Sequence, residues 1–263
     1  MRIPFAQIDA FADAPFTGNP AAVMPLSMWL DDATLQAIAE ENNLSETAFI
    51  VPATGEADFE LRWFTPAAEV ALCGHATLAS GHFVLSSDTT RNAVRFTTRQ
   101  AGVLEVARHG AAYEMALPAW APSPKPLDNI VAALGVTARE TLWHEKGYAL
   151  VIVEDEAAVR AAAPDGRAVK ALGPYVLIVA ARGQTADVVS RVFTDYFDIP
   201  EDPVTGSAHA VMVPYWADVL GRTSFSAYQA SARGGHVGCR LDSDRVMLTG
   251  SCVTTIEGTF LLP

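Results

Sequence analysis

The chain has 263 residues, of which half are hydrophobic and 18% are charged, and its formal net charge is −12 at pH 7. This size and composition predict a globular protein with enough core for one large domain or two lobes. The acidic balance and the lack of any basic run argue against a nucleic-acid partner, which would need a basic face. No apolar run is long enough for a membrane span, so we expect no membrane partner either.

The cysteines indicate a reducing compartment. Cys73, Cys239 and Cys252 are odd in number and far apart in the sequence, which is not the pattern of a disulfide framework. Residues 1–5 lead directly into a strand-like segment, so we expect no signal peptide. The sequence therefore predicts a cytoplasmic protein.

The first half of the chain reads as strands interrupted by two helices. Residues 3–11 and 21–24 predict strands joined by a turn that contains proline and glycine. Ser27 is predicted to cap a helix that runs to Asn42, and the second helix follows residue 73. The apolar stripe of the first helix consists of Leu30, Leu35, Ile38 and Ala39. Further strands are predicted at 59–63, 92–98, 102–107 and 112–117.

A proline-rich segment divides the chain. Four prolines lie within residues 118–126, and we interpret this stretch as a stiff linker between lobes. The N-terminal lobe is then 1–117, completed by a last strand at about 254–263, and the C-terminal lobe is 127–253. Predicted elements of the second lobe are a helix at 128–134, strands at 148–153 and 175–181, a helix at 207–220 and a strand-rich end at 224–262.

An internal repeat organises both halves. The segment 63–80 predicts a strand, a loop and a helix that begins at Gly74, and two parts of it recur near 192–194 and 204–210. Several matches in the same order, at one offset of roughly 130 residues, indicate two similar lobes related by an approximate twofold axis. If both helix N-termini faced the cleft between lobes, their backbone N–H groups would bind a small carboxylate. The alternative is that both are ordinary helix starts.

Glu46 is the candidate general acid/base. It lies in a short polar stretch between two apolar elements, and partial desolvation would raise its pKa toward the range useful for proton transfer. The alternative is a solvated loop carboxylate.

Polar residues at the second copy of the motif are candidates for holding a substrate. Asp202 could hold an amino or hydroxyl group, and the Ser207 hydroxyl with the Gly206 and Ser207 amides could hold a carboxylate. The alternative is that Asp202 and Ser207 bond to their own backbone, as such residues commonly do.

His75 and Cys73 lie at the start of the first motif helix. The helix dipole lowers the proton affinity of an imidazole at that place, which suits a neutral donor or acceptor. The counterpart of Cys73 in the repeat is Thr205, so a symmetric pair of thiols is not available, and we favour a packing role for Cys73.

Neither a metal nor a cofactor is predicted. The six histidines show no metal-ligand spacing with carboxylates or cysteines. The stretch 234–238 lacks dinucleotide-binding spacing and reads as a turn, and the chain has no phosphate loop. The remaining chemistry is proton transfer by side chains.

Together these motifs resemble the phenazine-biosynthesis isomerase (PhzF-like) family. The resemblance is carried, in order along both halves, by the stretches 9–11, 16–23, 43–49, 61–66, 69–77 and 201–208. It implies the diaminopimelate-epimerase-like fold, an α+β architecture of two pseudo-symmetric lobes, each a curled, mostly antiparallel sheet around a central helix. It also implies a homodimer.

The resemblance further implies a cofactor-independent isomerase of a small carboxylate. In the characterised phenazine-pathway member, a glutamate that matches Glu46 moves a proton within trans-2,3-dihydro-3-hydroxyanthranilate. The substrate-holding residues of the family match His75, Asp202, Gly206 and Ser207, and the matching loop of Gly18 and Asn19 would line the cleft. The candidate catalytic residues are thus Glu46, His75 and Asp202, and we add the Gly74 amide to the groups that hold the carboxylate.

Two other functions remain open at this point. A two-base amino-acid racemase or epimerase of the same fold would depend on thiols, and the missing second cysteine argues against it. A non-catalytic metabolite-binding protein would bind its ligand whether or not Glu46 is present.

Overall fold

The computed structural model describes residues 1–262, which form strands and helices throughout. The strands are β1 (Arg2–Ala10), β2 (Asn19–Pro25), β3 (Glu46–Pro52), β4 (Phe59–Phe64), β5 (Glu69–Val70), β6 (Ala93–Thr98), β7 (Val103–His109), β8 (Ala112–Pro118), β9 (Ser123–Pro124), β10 (Glu140–His144), β11 (Tyr148–Ile152), β12 (Val176–Arg182), β13 (Val188–Thr194), β14 (Ile199–Glu201), β15 (Ser224–Gln229), β16 (Gly235–Asp242), β17 (Arg245–Gly250) and β18 (Cys252–Leu261).

The helices are α1 (Asp32–Asn42), α2 (Gly74–Ser87), α3 (Asp128–Leu134), α4 (Glu156–Ala161), α5 (Gly166–Leu172) and α6 (Gly206–Leu220), with a short 3₁₀ turn at Asp195–Phe197. Across residues 1–262, none of these helices has the length and apolar character that a membrane span requires.

The chain folds into two compact units. Unit 1 comprises Met1–Ala116 together with Thr249–Pro263, and unit 2 comprises Leu117–Leu248. Within unit 1 the last strand, β18, pairs antiparallel with β1. Residues from both ends of the chain therefore form neighbouring strands of one sheet.

The two units repeat one strand-pairing pattern. In unit 1, β2 pairs antiparallel with β1 and parallel with β3, and β4 pairs antiparallel with β3 and parallel with β6. In unit 2, β11 pairs antiparallel with β10 and parallel with β12, and β13 pairs antiparallel with β12 and parallel with β15. A short antiparallel strand also recurs: β5 pairs with β4 in unit 1, and β14 pairs with β13 in unit 2. The sequence repeat thus corresponds to a structural repeat.

A mostly buried helix lies at the centre of this pattern. In unit 1, α2 packs against β1, β2, β3, β6, β7 and β18, so the sheet curls around it. Because strands surround α2, its first eight residues are all buried and it lacks a strongly polar face. In unit 2, α6 packs against β11 and β16 and is buried along most of its length. These features confirm the predicted α+β class.

The first helix begins later than the sequence indicated. Asp31, not Ser27, is the N-cap of α1, and its carboxylate accepts a hydrogen bond from the Thr34 amide. An aspartate is at least as good a cap as a serine, and it lies directly before the helical stripe formed by Leu35 and Ile38. The prediction of Ser27 as the cap was therefore wrong by one turn.

Each unit has a buttressed loop ahead of its central helix. Arg62 makes two hydrogen bonds of 2.8 Å to Glu69, and Arg191 makes two, of 2.7 and 2.9 Å, to Glu201. Such bidentate pairs are geometrically specific as well as strong. In both units the guanidinium also lies 4.9 Å from the ring centre of a phenylalanine two residues further on. The paired glutamate precedes the first residue of the central helix by five positions in both units, so the pair holds the loop that leads to it.

Replacing Arg191 with methionine is expected to lower the free energy of unfolding by about 2 kcal/mol. The guanidinium is 16% exposed and its partner Glu201 is 22% exposed, so the variant leaves a poorly solvated carboxylate without its cation. It also removes the 2.7 Å bond to the Ala162 carbonyl. Chemical denaturation would measure the change. Lys170→Met, which breaks an ion pair between two exposed residues, serves as the control and should cost less than about 0.5 kcal/mol; equal losses in both variants would contradict a special role for the buried pair.

Candidate active site

Unit 1 brings four polar groups together at the start of α2. Glu46 is the first residue of β3, and its Oε2 lies 3.0 Å from Nε2 of His75. The other ring nitrogen of His75, Nδ1, lies 3.1 Å from the side-chain nitrogen of Asn19 and 3.5 Å from the sulfur of Cys73. The side chain of Glu46 is 14% exposed and that of His75 is 4% exposed. The cluster is therefore almost entirely removed from water.

The local backbone explains why these residues meet. β2 and β3 are parallel neighbours and Ala21 pairs with Glu46, so the start of β2, with Asn19, lies beside the start of β3. Gly18 adopts a φ of +67°, and a Cβ there would lie 2.3 Å from the Ala10 carbonyl oxygen. Only glycine fits this close, left-handed turn. Gly18 thus allows the chain to enter β2 with Asn19 buried against His75.

The pKa of His75 lies well above its usual value. Burial alone would lower this pKa, but the negative charges of ionised Cys73 and of Glu46 outweigh burial and raise it. Cys73 is a neutral thiol near pH 7, because burial and the Glu46 charge raise its pKa to about 11. Glu46, whose Oε2 lies 3.0 Å from Nε2 of His75, acts on the ring in the same direction as Cys73. The prediction that the helix dipole lowers the proton affinity of His75 was wrong, since Cys73 and Glu46 beside the ring raise its pKa.

Glu46, Cys73 and His75 also offer one ligand atom each within 4.8 Å of one another. The imidazole lies between the other two, with Nε2 towards Glu46 and Nδ1 towards Cys73. These three groups have the donor types of a metal site, but Glu46 and Cys73 face opposite nitrogens of the ring, so the contacts themselves form a polar chain across His75.

Unit 2 has a different polar cluster at the start of α6. The Thr205 hydroxyl donates to Oδ2 of Asp202 at 2.5 Å, and the fully buried Gln229 bonds to Thr205 and to the backbone of Asp202. Burial and the charge of Asp202 raise the pKa of the Tyr148 phenol, while its interaction with Ser207 lowers it.

The strand register shows how far the two units differ in chemistry. Thr47 pairs with Phe64 in unit 1, and Leu177 pairs with Phe193 in unit 2. Because Phe64 and Phe193 are equivalent in the repeat, the position before Leu177 corresponds to Glu46, and Val176 occupies it. Thr205 corresponds likewise to Cys73. Unit 2 therefore has neither the carboxylate nor the thiol of unit 1 at the equivalent positions.

His209 in α6 is buried without being part of these clusters. Its Nδ1 lies 2.8 Å from the Thr205 carbonyl, so Nδ1–H donates to that oxygen. Thr77 makes the equivalent bond in α2, from its hydroxyl to the Cys73 carbonyl at 2.6 Å. Burial lowers the pKa of His209 from 6.5 to about 4.

The low pKa of His209 predicts a loss of stability in acid. Because the unfolded chain binds this proton more tightly, the stabilisation is present above pH 6.5 and decreases as the pH falls toward 4. At pH 5 the loss is about 2 kcal/mol relative to pH 7. His209→Asn keeps a donor for the Thr205 carbonyl but does not titrate, so denaturation at both pH values should show a smaller loss. The exposed His236, changed to Asn, is the control; an unchanged acid loss in His209→Asn would contradict the assignment.

All eight predicted site residues lie at these two places. Gly18, Asn19, Glu46, Gly74 and His75 belong to the unit 1 cluster or flank it, and Asp202, Gly206 and Ser207 lie at the start of α6. Their individual roles stay predictions.

Sequence reasoning missed Tyr148 and Gln229. Gln229 had a detectable signal, because it continues the inward-facing set Phe225 and Ala227 of an alternating strand, and a polar residue on a buried face needs partners.

Comparison with known proteins places the chain in a family. The sequence profile of the phenazine biosynthesis-like family, PhzC-PhzF, matches residues 8–258. A Pseudomonas aeruginosa protein named as an uncharacterized isomerase is 48% identical over 264 residues, with complete coverage of both chains. The crystal structure of a PhzF-family phenazine biosynthesis protein from Enterococcus faecalis superposes with a TM-score of 0.92 at 42% identity and complete coverage of both chains.

A more distant structure shows the fold alone. A hydroxyproline epimerase from Agrobacterium vitis superposes with a TM-score of 0.66 at 11% identity, over 98% of this chain and 92% of the other.

Taken together, the family profile and the similar proteins show that the chain has the diaminopimelate-epimerase-like fold, belongs to the phenazine biosynthesis-like family and is one of its isomerases.

Proposed function

We propose that the protein is a cofactor-independent isomerase that moves a proton within a small carboxylate, with Glu46 as the general acid/base. The observation that carries the proposal is the buried pair of Glu46 and His75, 3.0 Å apart, which has no acidic or thiol counterpart in the second unit. A single carboxylate that both removes and returns a proton suits an isomerase. Candidate substrates resemble trans-2,3-dihydro-3-hydroxyanthranilate.

The other residues receive supporting roles in this proposal. His75 faces Glu46 with Nε2 3.0 Å from Oε2 and holds the carboxylate in place for the transfer. Asp202 binds an amino or hydroxyl group of the substrate and, with His75, orients it. Backbone amides of Gly74, Gly206 and Ser207 hold the carboxylate or the charge that develops during transfer. Gly18 and Asn19 line the site. We also propose a cytoplasmic homodimer, and light scattering of the purified protein tests its mass.

Proton NMR of trans-2,3-dihydro-3-hydroxyanthranilate with the protein in deuterated water tests the function. Isomerisation with deuterium uptake at a ring carbon is the expected result. Absence of turnover would exclude this compound as the substrate. Deuterium exchange at a stereocentre of a free amino acid, without migration of a double bond, would favour a racemase instead.

Cys73→Ala separates the isomerase from the two-base racemase. The thiol is buried, its pKa is raised to about 11, and Thr205 stands at the equivalent position. We therefore expect turnover within about threefold of wild type, because a group that acts as an acid or base contributes roughly 10²-fold or more. Steady-state kinetics with iodoacetamide-treated wild type as a second arm would check this. A loss of 100-fold or more in Cys73→Ala, with its fold intact, would contradict the one-base mechanism.

A further inference from the structure

The start of α6 contains a polar network that extends beyond the proposed site residues. Thr205 is the N-cap residue of α6 but makes no side-chain bond to its own helix. Its hydroxyl donates instead to Oδ2 of Asp202 at 2.5 Å. The side-chain oxygen of an N-cap threonine ordinarily accepts a hydrogen bond from a helix amide. The Thr205 hydroxyl instead bonds to the carboxylate of Asp202.

Gln229, the last residue of β15, determines the direction of that hydroxyl bond. The Oε1 atom accepts from the Thr205 amide at 2.9 Å, and Nε2 donates to the Asp202 carbonyl at 2.7 Å and to the Thr205 hydroxyl oxygen at 3.2 Å. A flipped amide would place oxygen against a carbonyl oxygen and NH₂ against an N–H group, so only this orientation is consistent. Gln229 is fully buried, and no solvent competes for these bonds.

The hydrogen bonds of this network have a single donor-to-acceptor direction. Because the Thr205 oxygen accepts from Gln229, the Thr205 proton is left for the carboxylate of Asp202. The chain of donors therefore runs from Gln229 through Thr205 to Asp202 and fixes one carboxylate oxygen. Asp202 itself is half-buried, and hydrogen bonds to an ionised carboxylate are stronger than those between neutral groups.

The repeat indicates why a threonine occupies this position. Its counterpart Cys73 is a weak donor with a sulfur 3.5 Å from His75. A thiol at 205 would not make a short bond to Asp202 and would accept poorly from Gln229. The position that carries a thiol in unit 1 thus carries a positioning hydroxyl in unit 2.

We propose that Thr205 and Gln229 are positioning residues that hold the Asp202 carboxylate in the direction required by the substrate. The inference rests on the proposed function, because Asp202 acts there on the substrate. Neither residue touches the reacting atoms, and both act through Asp202.

Crystal structures of Thr205→Val and Thr205→Ser test the positioning without any substrate. The carboxylate of Asp202 should turn away from its wild-type position in Thr205→Val and keep it in Thr205→Ser, which retains the hydroxyl. Hydrogen exchange of the Thr205 amide should become faster in Gln229→Leu, provided that this variant folds. An unmoved Asp202 in Thr205→Val would overturn the proposal whatever the substrate is.

Kinetics with trans-2,3-dihydro-3-hydroxyanthranilate provide the functional arm. We expect kcat/KM to fall roughly 10- to 100-fold in Thr205→Val, the range for a lost bond to a charged group, and less than about threefold in Thr205→Ser. Thr141→Val removes a hydroxyl of the same unit that donates to the Lys125 carbonyl at 2.6 Å, outside this network, and it should leave kcat/KM unchanged.

A double-mutant cycle separates positioning from a general structural effect. In an Asp202→Asn background, Thr205→Val should have almost no further effect, since Thr205 acts through the carboxylate. Independent, additive losses would overturn the proposal. If wild type does not turn over the compound, the proposed substrate fails, while the position of Asp202 in the two crystal structures still decides the inference.

Discussion

Glu46→Gln is expected to lower kcat by about 10³-fold or more, because the amide cannot accept a proton from the substrate. The substitution is nearly isosteric, and the amide can occupy the place of the carboxylate 3.0 Å from Nε2 of His75. The fold and the position of His75 should therefore survive. Single-turnover measurements by proton NMR in deuterated water would give the rate of transfer directly.

A matched control distinguishes this loss from a change of charge alone. Glu105→Gln removes one negative charge from the same unit at a carboxylate that is 56% exposed, and it should keep wild-type turnover. Glu46→Gln with turnover within tenfold of wild type would show that another group moves the proton. His75 would then be the next residue to change, since it is the group in contact with Glu46.

Gly81→Ala is expected to lower the free energy of unfolding of the protein by about 3 kcal/mol, although alanine is the better helix former. Gly81 lies in α2, and a Cβ there would lie 2.4 and 2.5 Å from Cγ1 and Cβ of Val106. Val106 is fully buried on β7, and its Cβ is tied to the strand backbone. The clash is therefore relieved only by moving α2 or β7, and either movement disturbs a close-packed core.

Gly258→Ala provides the control for this prediction. Gly258 lies in β18, and a Cβ there meets nothing within 4 Å. Its loss of unfolded-state freedom should leave stability unchanged or raise it by up to about 1 kcal/mol. Chemical denaturation of both variants gives the comparison. A Gly81→Ala variant as stable as wild type would show that α2 does not pack as closely on β7 as described.

The repeat was readable in the sequence because it is a local property of each segment. The order of strand, loop and helix recurs around Gly74 and Gly206, and the two helices begin at those residues. Most strands also lie where alternation or a continuous apolar run predicted them. These signals depend on neighbours within a few residues, so a single chain contains them.

Two predictions, the N-cap of α1 and the low proton affinity of His75, were wrong because they depend on contacts in the folded protein. The N-cap of α1 is Asp31 rather than Ser27. More than one residue before the apolar stripe of this helix can act as an N-cap, and the packing of the helix on its core decides which one does. The pKa of His75 is raised by Cys73, two residues earlier, and by Glu46, which lies 29 residues earlier in the sequence but 3.0 Å away in space. Nothing near residue 75 in the sequence indicates that carboxylate as its partner.

The sequence by itself determined the internal repeat, and its ordered motifs determined the family and, through that resemblance, the expected fold class. Only the tertiary structure decided which polar groups meet. It placed Glu46 and Asn19 on the two nitrogens of His75, and it placed Gln229 on Thr205 and Asp202. The physical reason is that strand pairing and burial bring together residues far apart in the chain, and in a dry interior their hydrogen bonds and charges determine the chemistry.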